Sequence, residues 1–314
     1  MEKIALIGAA GAIGKSIANA LRSQGKPYRV VGRDQQKLQT SFGHDPLAEL
    51  LTWNPDDPAS VRAAVRGTDT LIYLVGVPYN HFELHPILMQ KTLDGAIAQG
   101  VKRIVLVGTV YPYGFPTTSP VSESHPLNPH TLKGQMRKAQ EEVLLKAHAE
   151  GKIQATILRL PDFYGPGVEA SFLHSLFQAA AKGGTANMVG PIDVPHEYVY
   201  VPDVGPVVLA LAANPEAYGH WWNFAGAGAI TQQQIADQVF AIAGRKPKLR
   251  VAGKTMLRLI GLFNPFMREL VEMHYLLTDP VLMDDTALHR LLGNIHKTPY
   301  PEGLRQTLEA YRAT

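Results

Sequence analysis

The feature that most constrains this chain is a short apolar run, Lys3–Ile7, followed at once by Gly8-Ala9-Ala10-Gly11-Ala12-Ile13-Gly14. Ile13, Ile17 and Leu21 then recur at helical spacing until Gly25. This is a strand, a glycine turn and a helix in immediate succession. Each glycine has a separate reason to be there. Gly8 permits the tight turn after the strand, Gly11 lets the backbone approach a ligand, and Gly14 lets helix and strand pack closely. A helix N-terminus free of side chains presents bare N–H groups, which suit a pyrophosphate. The turn is therefore expected to bind a dinucleotide through Gly8, Gly11, Ala12, Ile13 and Gly14.

The rhythm continues along the first half. Tyr28–Val31, Glu49–Trp53, Thr70–Val75, Arg103–Val107 and Gln154–Leu160 read as strands. Ser60–Arg66, Leu84–Gln99 and Leu132–Ala149 read as the helices between them. Alternating strands and helices of this kind predict an α/β fold, a doubly wound parallel sheet of Rossmann type. After residue 160 the prolines at 161, 166, 191, 195 and 202 break the chain into short pieces. Helical patterns recur over Ala170–Lys182, Val204–Ala213, Gln232–Ala243, Thr255–Leu277, Asp284–Leu292 and Glu302–Tyr311. We expect a smaller, mostly helical C-terminal substrate cap, with residues 1–160 and 195–230 in the nucleotide-binding domain and 161–194 and 231–314 in the cap.

Cofactor choice is read at the end of the second strand, Val30-Val31-Gly32-Arg33-Asp34. An acid at this point accepts from the ribose hydroxyls of NAD, whereas a guanidinium suits a 2′-phosphate. Arg33 favours NADP(H), and Asp34 one step later keeps NAD(H) open. Asn54 after the third strand, and Val75 and Gly76 at the end of the fourth, complete the expected cofactor positions.

Several other chemistries are weighed against the same residues. The chain has 314 residues, 46% hydrophobic and 18% charged, a net charge of +3 and no cysteine. This excludes disulfides and thiolate catalysis, and no Lys/Arg block favours nucleic acid or an anionic membrane. No window is apolar for long enough to predict a membrane span. Met1–Ile7 could pass for a short signal segment, but the glycines fit a turn better, and a cytoplasmic location is expected. Leu257–Met267 is apolar enough to lie on a membrane, against which stand Pro265 and a thin basic flank. Ala9–Ser16 resembles a relaxed phosphate loop ending Gly14-Lys15-Ser16, but alanine stands where its first glycine belongs. His81 and His85 are four apart, yet Glu83 is wrongly spaced for a zinc protease, so they read as surface loop histidines with no metal. No G-x-S-x-G elbow is present. Trp221, Trp222, Phe224, Phe263, Phe266 and the methionines at 256, 267, 273 and 283 could line an apolar substrate pocket, or fill the cap's core or a dimer seam.

With these motifs in order, the chain resembles the NAD(P)-dependent epimerase/dehydratase family, the extended short-chain dehydrogenases. The similarity rests on G-x-x-G-x-x-G at Gly8, Gly11 and Gly14, on Val107-Gly108-Thr109-Val110-Tyr111-Pro112-Tyr113-Gly114, and on Arg159-Leu160-Pro161-Asp162-Phe163-Tyr164-Gly165-Pro166-Gly167. Tyr198–Val204 and Trp222–Gly226 add two later segments. The resemblance implies hydride transfer on an alcohol, ketone or (nucleotide) sugar, with a small-molecule substrate. The family's helix carries Tyr-x-x-x-Lys, followed by K-x-x-x-E. Lys138 with Glu142 fits the second pattern, which puts Gly134 where the tyrosine belongs. The expected catalytic set is then Thr109, Tyr111 and Lys138, with Tyr111 filling space left by Gly134 and its pKa lowered by the ammonium. Lys133 and Arg137 form a solvated face or a hold for an anion, Tyr164 buttresses the junction of cofactor and substrate, and Asp162 and Asp203 are structural. A homodimer seam through Met136, Val143 and Leu144 is a further implication. The alternative reading is an NADP(H)-binding sensor or assembly protein with reduced catalysis.

Overall fold

The computed structural model describes residues 2–169 and 171–313, and the side chain of Phe266 is not among what it describes. The first part runs β1 (Ile4–Ile7), α1 (Ala12–Ser23), β2 (Tyr28–Gly32), α2 (Gln35–Phe42), β3 (Ala48–Thr52), α3 (Pro58–Val65), β4 (Thr70–Tyr73), α4 (Leu84–Ala98), β5 (Arg103–Thr109), α5 (Leu132–Ala149) and β6 (Gln154–Leu160). There follow β7 (Asp162–Tyr164), α6 (His174–Lys182), β8 (Ala186–Val189), β9 (Pro195–His196), β10 (Tyr198–Tyr200), α7 (Val201–Ala213) and β11 (Trp221–Asn223). The chain ends with β12 (Ile230–Thr231), α8 (Gln232–Ile242), β13 (Leu249–Ala252), α9 (Lys254–Gly261), α10 (Pro265–Met273), α11 (Tyr275–Thr278), α12 (Thr286–Leu292) and α13 (Tyr300–Ala313).

Seven strands form one parallel sheet in the order β11-β6-β5-β4-β1-β2-β3. The order reverses between β1 and β4, so a crevice opens above their carboxyl ends, where the glycine turn lies. Fully buried parallel strands need apolar residues on both faces. Leu6, Val30, Ile72, Val105 and Leu158 pack on one side with α1 and α7, and Ile7, Val31, Leu71, Tyr73 and Ile104 on the other with α3 to α5. The expected doubly wound α/β sheet is therefore present.

A third core joins α6, α8 and α13 through Phe177, Ile235, Phe240, Leu304 and Leu308. A fourth, with Val110, Tyr113, Met273, Leu276 and Met283, pins the segment after α10 over the end of β5. Strand pairs too short to read from periodicity, β7 with β10, β8 with β13 and β9 with β12, lace this region together.

Several expectations are corrected. The helix anticipated over Thr255–Leu277 is three helices, because Pro265 has no N–H to donate and Asn264 caps a new helix by accepting from the Met267 N–H. The helix expected from Ala170 begins at His174, and Ala170 lies outside the described residues. Trp221 and Trp222 do not build the cap: they form the edge strand β11 beside β6, and Phe224 joins the sheet's core. Leu144, expected at a dimer seam, is fully buried in the chain's own core. His85 is a core histidine on α4 against the Phe82 ring, with its pKa pushed down to about 2 by burial, while His81 lies exposed beside Glu83. Ser16 serves packing: its hydroxyl donates to the Pro202 carbonyl and accepts the Gly205 N–H, tying α1 to α7 where a phosphate-loop serine would face a ligand.

Candidate active site

At the β1–α1 turn Gly8 adopts φ +82°, and a Cβ there would stand 2.7 Å from the Val75 backbone. Gly14 is pressed against the Ala9 carbonyl, so any side chain would separate α1 from β1. Gly11 and Gly76 differ: a Cβ on either would meet nothing within 4 Å and would project into open space. Two glycines are thus fixed by packing and two border a cradle that side chains would fill. Helix α1 starts at Ala12 and Ile13 with no side-chain cap and no acid in its first turn, which leaves its N–H groups for an anion. These features fit a dinucleotide pyrophosphate.

The adjoining cleft is lined by Gly8, Ala10, Gly32, Arg33, Asp34, Lys37, Leu38, Trp53, Pro55, Val75, Gly76 and Leu88. Arg33 and Lys37 bring two cations to its rim. Asp34 is engaged otherwise, since its carboxylate caps α2 by accepting the Lys37 N–H at 3.0 Å. Asn54 is likewise occupied in its own turn, accepting from the Asp56 N–H, and the wall beside it is Trp53 and Pro55. Lys37, four residues after Arg33 at the start of an unforeseen helix, escaped the sequence reading. Its spacing from Arg33 was the available signal.

Above β5 lies a second cluster. Thr109 ends the strand, and its hydroxyl accepts the Tyr111 N–H at 3.4 Å. The Tyr111 phenol is 2.9 Å from the Tyr79 phenol, and its ring stacks on Phe82. Burial, then the charges of Tyr79 and Asp162, raises the Tyr111 pKa well above the ordinary phenol value. The lowering expected from an adjacent lysine does not occur, because Lys138 points elsewhere: its ammonium donates to the Leu127 carbonyl and faces Glu142. Nor does Gly134 leave room. A Cβ there would meet Pro129 at 2.7 Å and the Tyr111 carbonyl at 2.8 Å, so the helix and the turn at residues 111–113 already touch.

The inward face of α5 carries Lys133, Arg137 and Glu141 at successive turns. Glu141 and Arg159 are both buried and form a bidentate pair, with the guanidinium between the rings of Tyr113 and Trp221. Arg137 lies over Phe82, within electrostatic reach of Tyr73, Tyr79 and Tyr111, and its Nε is buried without a partner among the described residues. Lys133 is no surface charge. It is 1% exposed and donates at 2.6 Å to both Glu269 and Glu272, which α10 lowers onto it. Hydrogen bonds and attraction from these carboxylates outweigh burial and raise its pKa, so it remains an ammonium.

Asp162 pairs with a histidine. Its carboxylate is 2.8 Å from His196 Nε2, and its charge is felt by both Tyr79 and Tyr111. The Asp203 carboxylate accepts from the Thr298 N–H and hydroxyl. Tyr164 lies deep in the third core against Tyr200, Tyr300 and Gly303. No group of three or more potential metal ligands is found among the described residues, and no described helix is long and apolar enough to cross a membrane.

Comparison with known proteins agrees with this geometry. The chain is 25% identical to a dTDP-6-deoxy-L-talose 4-dehydrogenase (NAD(P)(+)) of Kitasatospora kifunensis, covering 68% of this chain and 71% of that one. It is 23% identical to a probable dTDP-4,6-dihydroxy-2-methyloxan-3-one 4-ketoreductase of Streptomyces antibioticus, covering 77% of each. Among solved structures, UDP-glucuronic acid 4-epimerase from Bacillus cereus in complex with NAD superimposes with a TM-score of 0.82 over 99% of both chains at 16% identity, a likeness of fold. Residues 4–225 match the profile of the NAD dependent epimerase/dehydratase family. The chain belongs to that family, whose members are enzymes of the short-chain dehydrogenase type.

Proposed function

We propose that the protein is an NADP(H)-dependent oxidoreductase that reduces the carbonyl of a small ketone or sugar, or runs the reverse reaction on the alcohol. The observation that carries the cofactor choice is the cleft rim, where Arg33 and Lys37 stand together while Asp34 is committed to capping α2. Two cations and no free acid favour a 2′-phosphate over bare ribose hydroxyls. When bound, the nicotinamide supplies or accepts the hydride. The chain's own groups then orient the substrate oxygen and provide its proton.

The buried Glu141–Arg159 pair supports a register for α5 one residue earlier than the sequence reading. Glu141 takes the glutamate of K-x-x-x-E, Arg137 the lysine and Lys133 the tyrosine. No phenol stands on the helix at either register. Tyr111 is the nearest substitute, with Thr109 as a second hydroxyl. A phenol whose pKa is raised keeps its proton until a stronger base, such as a developing alkoxide, arrives. That property favours the reductive direction.

Titration of the purified protein with NADPH and NADH, followed by nicotinamide fluorescence, tests the cofactor reading. NADPH is expected to bind at least tenfold more tightly, each charge-assisted bond to the phosphate contributing about 1.5–3 kcal/mol. Arg33→Ala with Lys37→Ala should erase that preference and leave NADH binding unchanged. Equal affinity in the wild type removes the proposal. A panel of carbonyl compounds scored by NADPH consumption then tests the chemistry. Tyr111→Phe and Arg137→Met should each reduce turnover by ~10²–10⁴, with NADPH affinity retained. Lys138→Met should have little effect, and a large loss there would restore the later register.

A further inference from the structure

Helix α9 is built the wrong way round for a helix that packs only on its own protein. Met256, Leu259, Ile260 and Phe263 recur at the spacing of one helical face, which ordinarily turns inward. Here that face is outside. Met256 is 51% exposed, Leu259 56%, Ile260 40% and Phe263 90%, with Leu262 at 74% beside them. The helix is held instead by Leu257 and Gly261, the latter pressed against the Arg268 backbone of α10.

The surroundings are basic. Between Asp237 and Glu269 the sequence has seven lysines and arginines and no acidic residue. Arg245, Lys246, Lys248, Arg250, Lys254, Arg258 and Arg268 are all exposed. Three of the cations precede β13, one lies on β13, two on α9 and one on α10, so no run of them marks the sequence. Pro265, which seemed to interrupt the apolar stretch, is the first residue of α10 and leaves α9 whole.

We propose that α9 is a peripheral membrane-docking element, with its outward apolar face inserted at the headgroup boundary of an anionic bilayer and the surrounding cations on the lipid phosphates. An interfacial helix needs this combination of apolar stripe and basic flank. The charge pattern selects among occupants. A second copy pairing through the same face would bring two sets of cations together, a repulsion that a symmetric seam cannot avoid. Nucleic acid would satisfy the cations and leave Leu262 and Phe263 without an apolar partner.

The test is co-sedimentation of the full-length protein with vesicles of phosphatidylcholine alone and of phosphatidylcholine containing phosphatidylglycerol. The expected result is binding to the anionic vesicles, at least tenfold weaker binding to the neutral ones, and release by salt. Leu262→Ser with Phe263→Ser should lower partitioning at least tenfold. Lys254→Glu with Arg258→Glu should do so on anionic vesicles only. Circular dichroism and thermal unfolding confirm that both variants remain folded. Failure to sediment with either vesicle overturns the proposal. So does a concentration-dependent dimer, seen by light scattering, that Leu262→Ser with Phe263→Ser dissociates. None of these outcomes depends on the redox reading, because no substrate is involved.

Discussion

At the cofactor end of the crevice the working parts are backbone. Gly8 and Gly14 are fixed by close packing, Gly11 and Gly76 face open space, and the N–H groups at the start of α1 have no side-chain cap. At the end above β5, where we propose the substrate binds, they are side chains: two phenols 2.9 Å apart, an ammonium between two carboxylates, a partly buried guanidinium and an Asp–His pair. The difference is one of tolerance. A backbone cradle survives exchange of most neighbouring residues, so one pattern serves any dinucleotide. A cluster of charges in a low dielectric is set by every member, and replacing one changes the protonation or position of the rest.

The largest effect should come from cutting the support of the substrate end. Glu141→Gln leaves the Arg159 guanidinium, which is fully buried, without its counter-charge. Breaking a buried pair from one side costs about 3–5 kcal/mol. Urea unfolding should show a loss of that order, while the fraction still folded binds NADPH as before. A loss below about 1 kcal/mol would mean that the pair behaves as an exposed one, and the separation between the two ends would fail.

The two ends were also unequally legible. Strand, glycine turn and helix follow from local propensity and spacing, and every glycine of the turn could be read from neighbours in sequence. Arg33 was legible for the same reason. Lys133 was not, because what buries it, Glu269 and Glu272, comes from a helix more than a hundred residues later. Position alone gave no means of choosing between Lys138–Glu142 and Arg137–Glu141. What favours the second in our proposal is Arg159, which lies against Glu141. Asp162 and His196 stand on different strands, β7 and β9, each too short to carry a period. Gly134 was illegible for a related reason. A missing side chain reads as space, but backbone from the turn at Tyr111 had already closed the gap.

A second, smaller effect concerns Glu197, next to His196. Burial raises its pKa from 4.5 to about 7, against the Met283 N–H and the Lys297 charge, which both lower it. A carboxyl whose folded pKa is raised binds its proton more tightly when folded. Its contribution to stability is therefore full below pH 4.5, falls as pH rises to about 7, and is constant above that. Glu197→Gln should remove this decline. The melting temperature of the wild type should fall between pH 4.5 and about 7 relative to the variant, which ends up more stable by up to ~3 kcal/mol. The carboxyl that lines the cleft, Asp34, is exposed, so Asp34→Asn should show no comparable change of slope. Parallel pH profiles for wild type and Glu197→Gln would show that Glu197 is solvated.

The smallest effect discriminates most sharply at the cofactor end. Asp34 occupies nearly the place of an NAD-type ribose acceptor, yet its carboxylate is turned to the Lys37 N–H. If capping is its whole function, Asp34→Ala should cost ~1 kcal/mol of stability, the usual value of an N-cap. NADPH affinity should stay the same or rise slightly, because a negative charge leaves the neighbourhood of Arg33 and Lys37. A ribose acceptor predicts the opposite pattern, a loss of NADH binding with stability nearly unchanged. The two measurements, urea unfolding and a fluorescence titration on one variant, separate the cases without any substrate. A weaker affinity for NADH alone would show that the cap opens when cofactor arrives, and the rim would then serve both dinucleotides by exchanging which side chain faces the ribose.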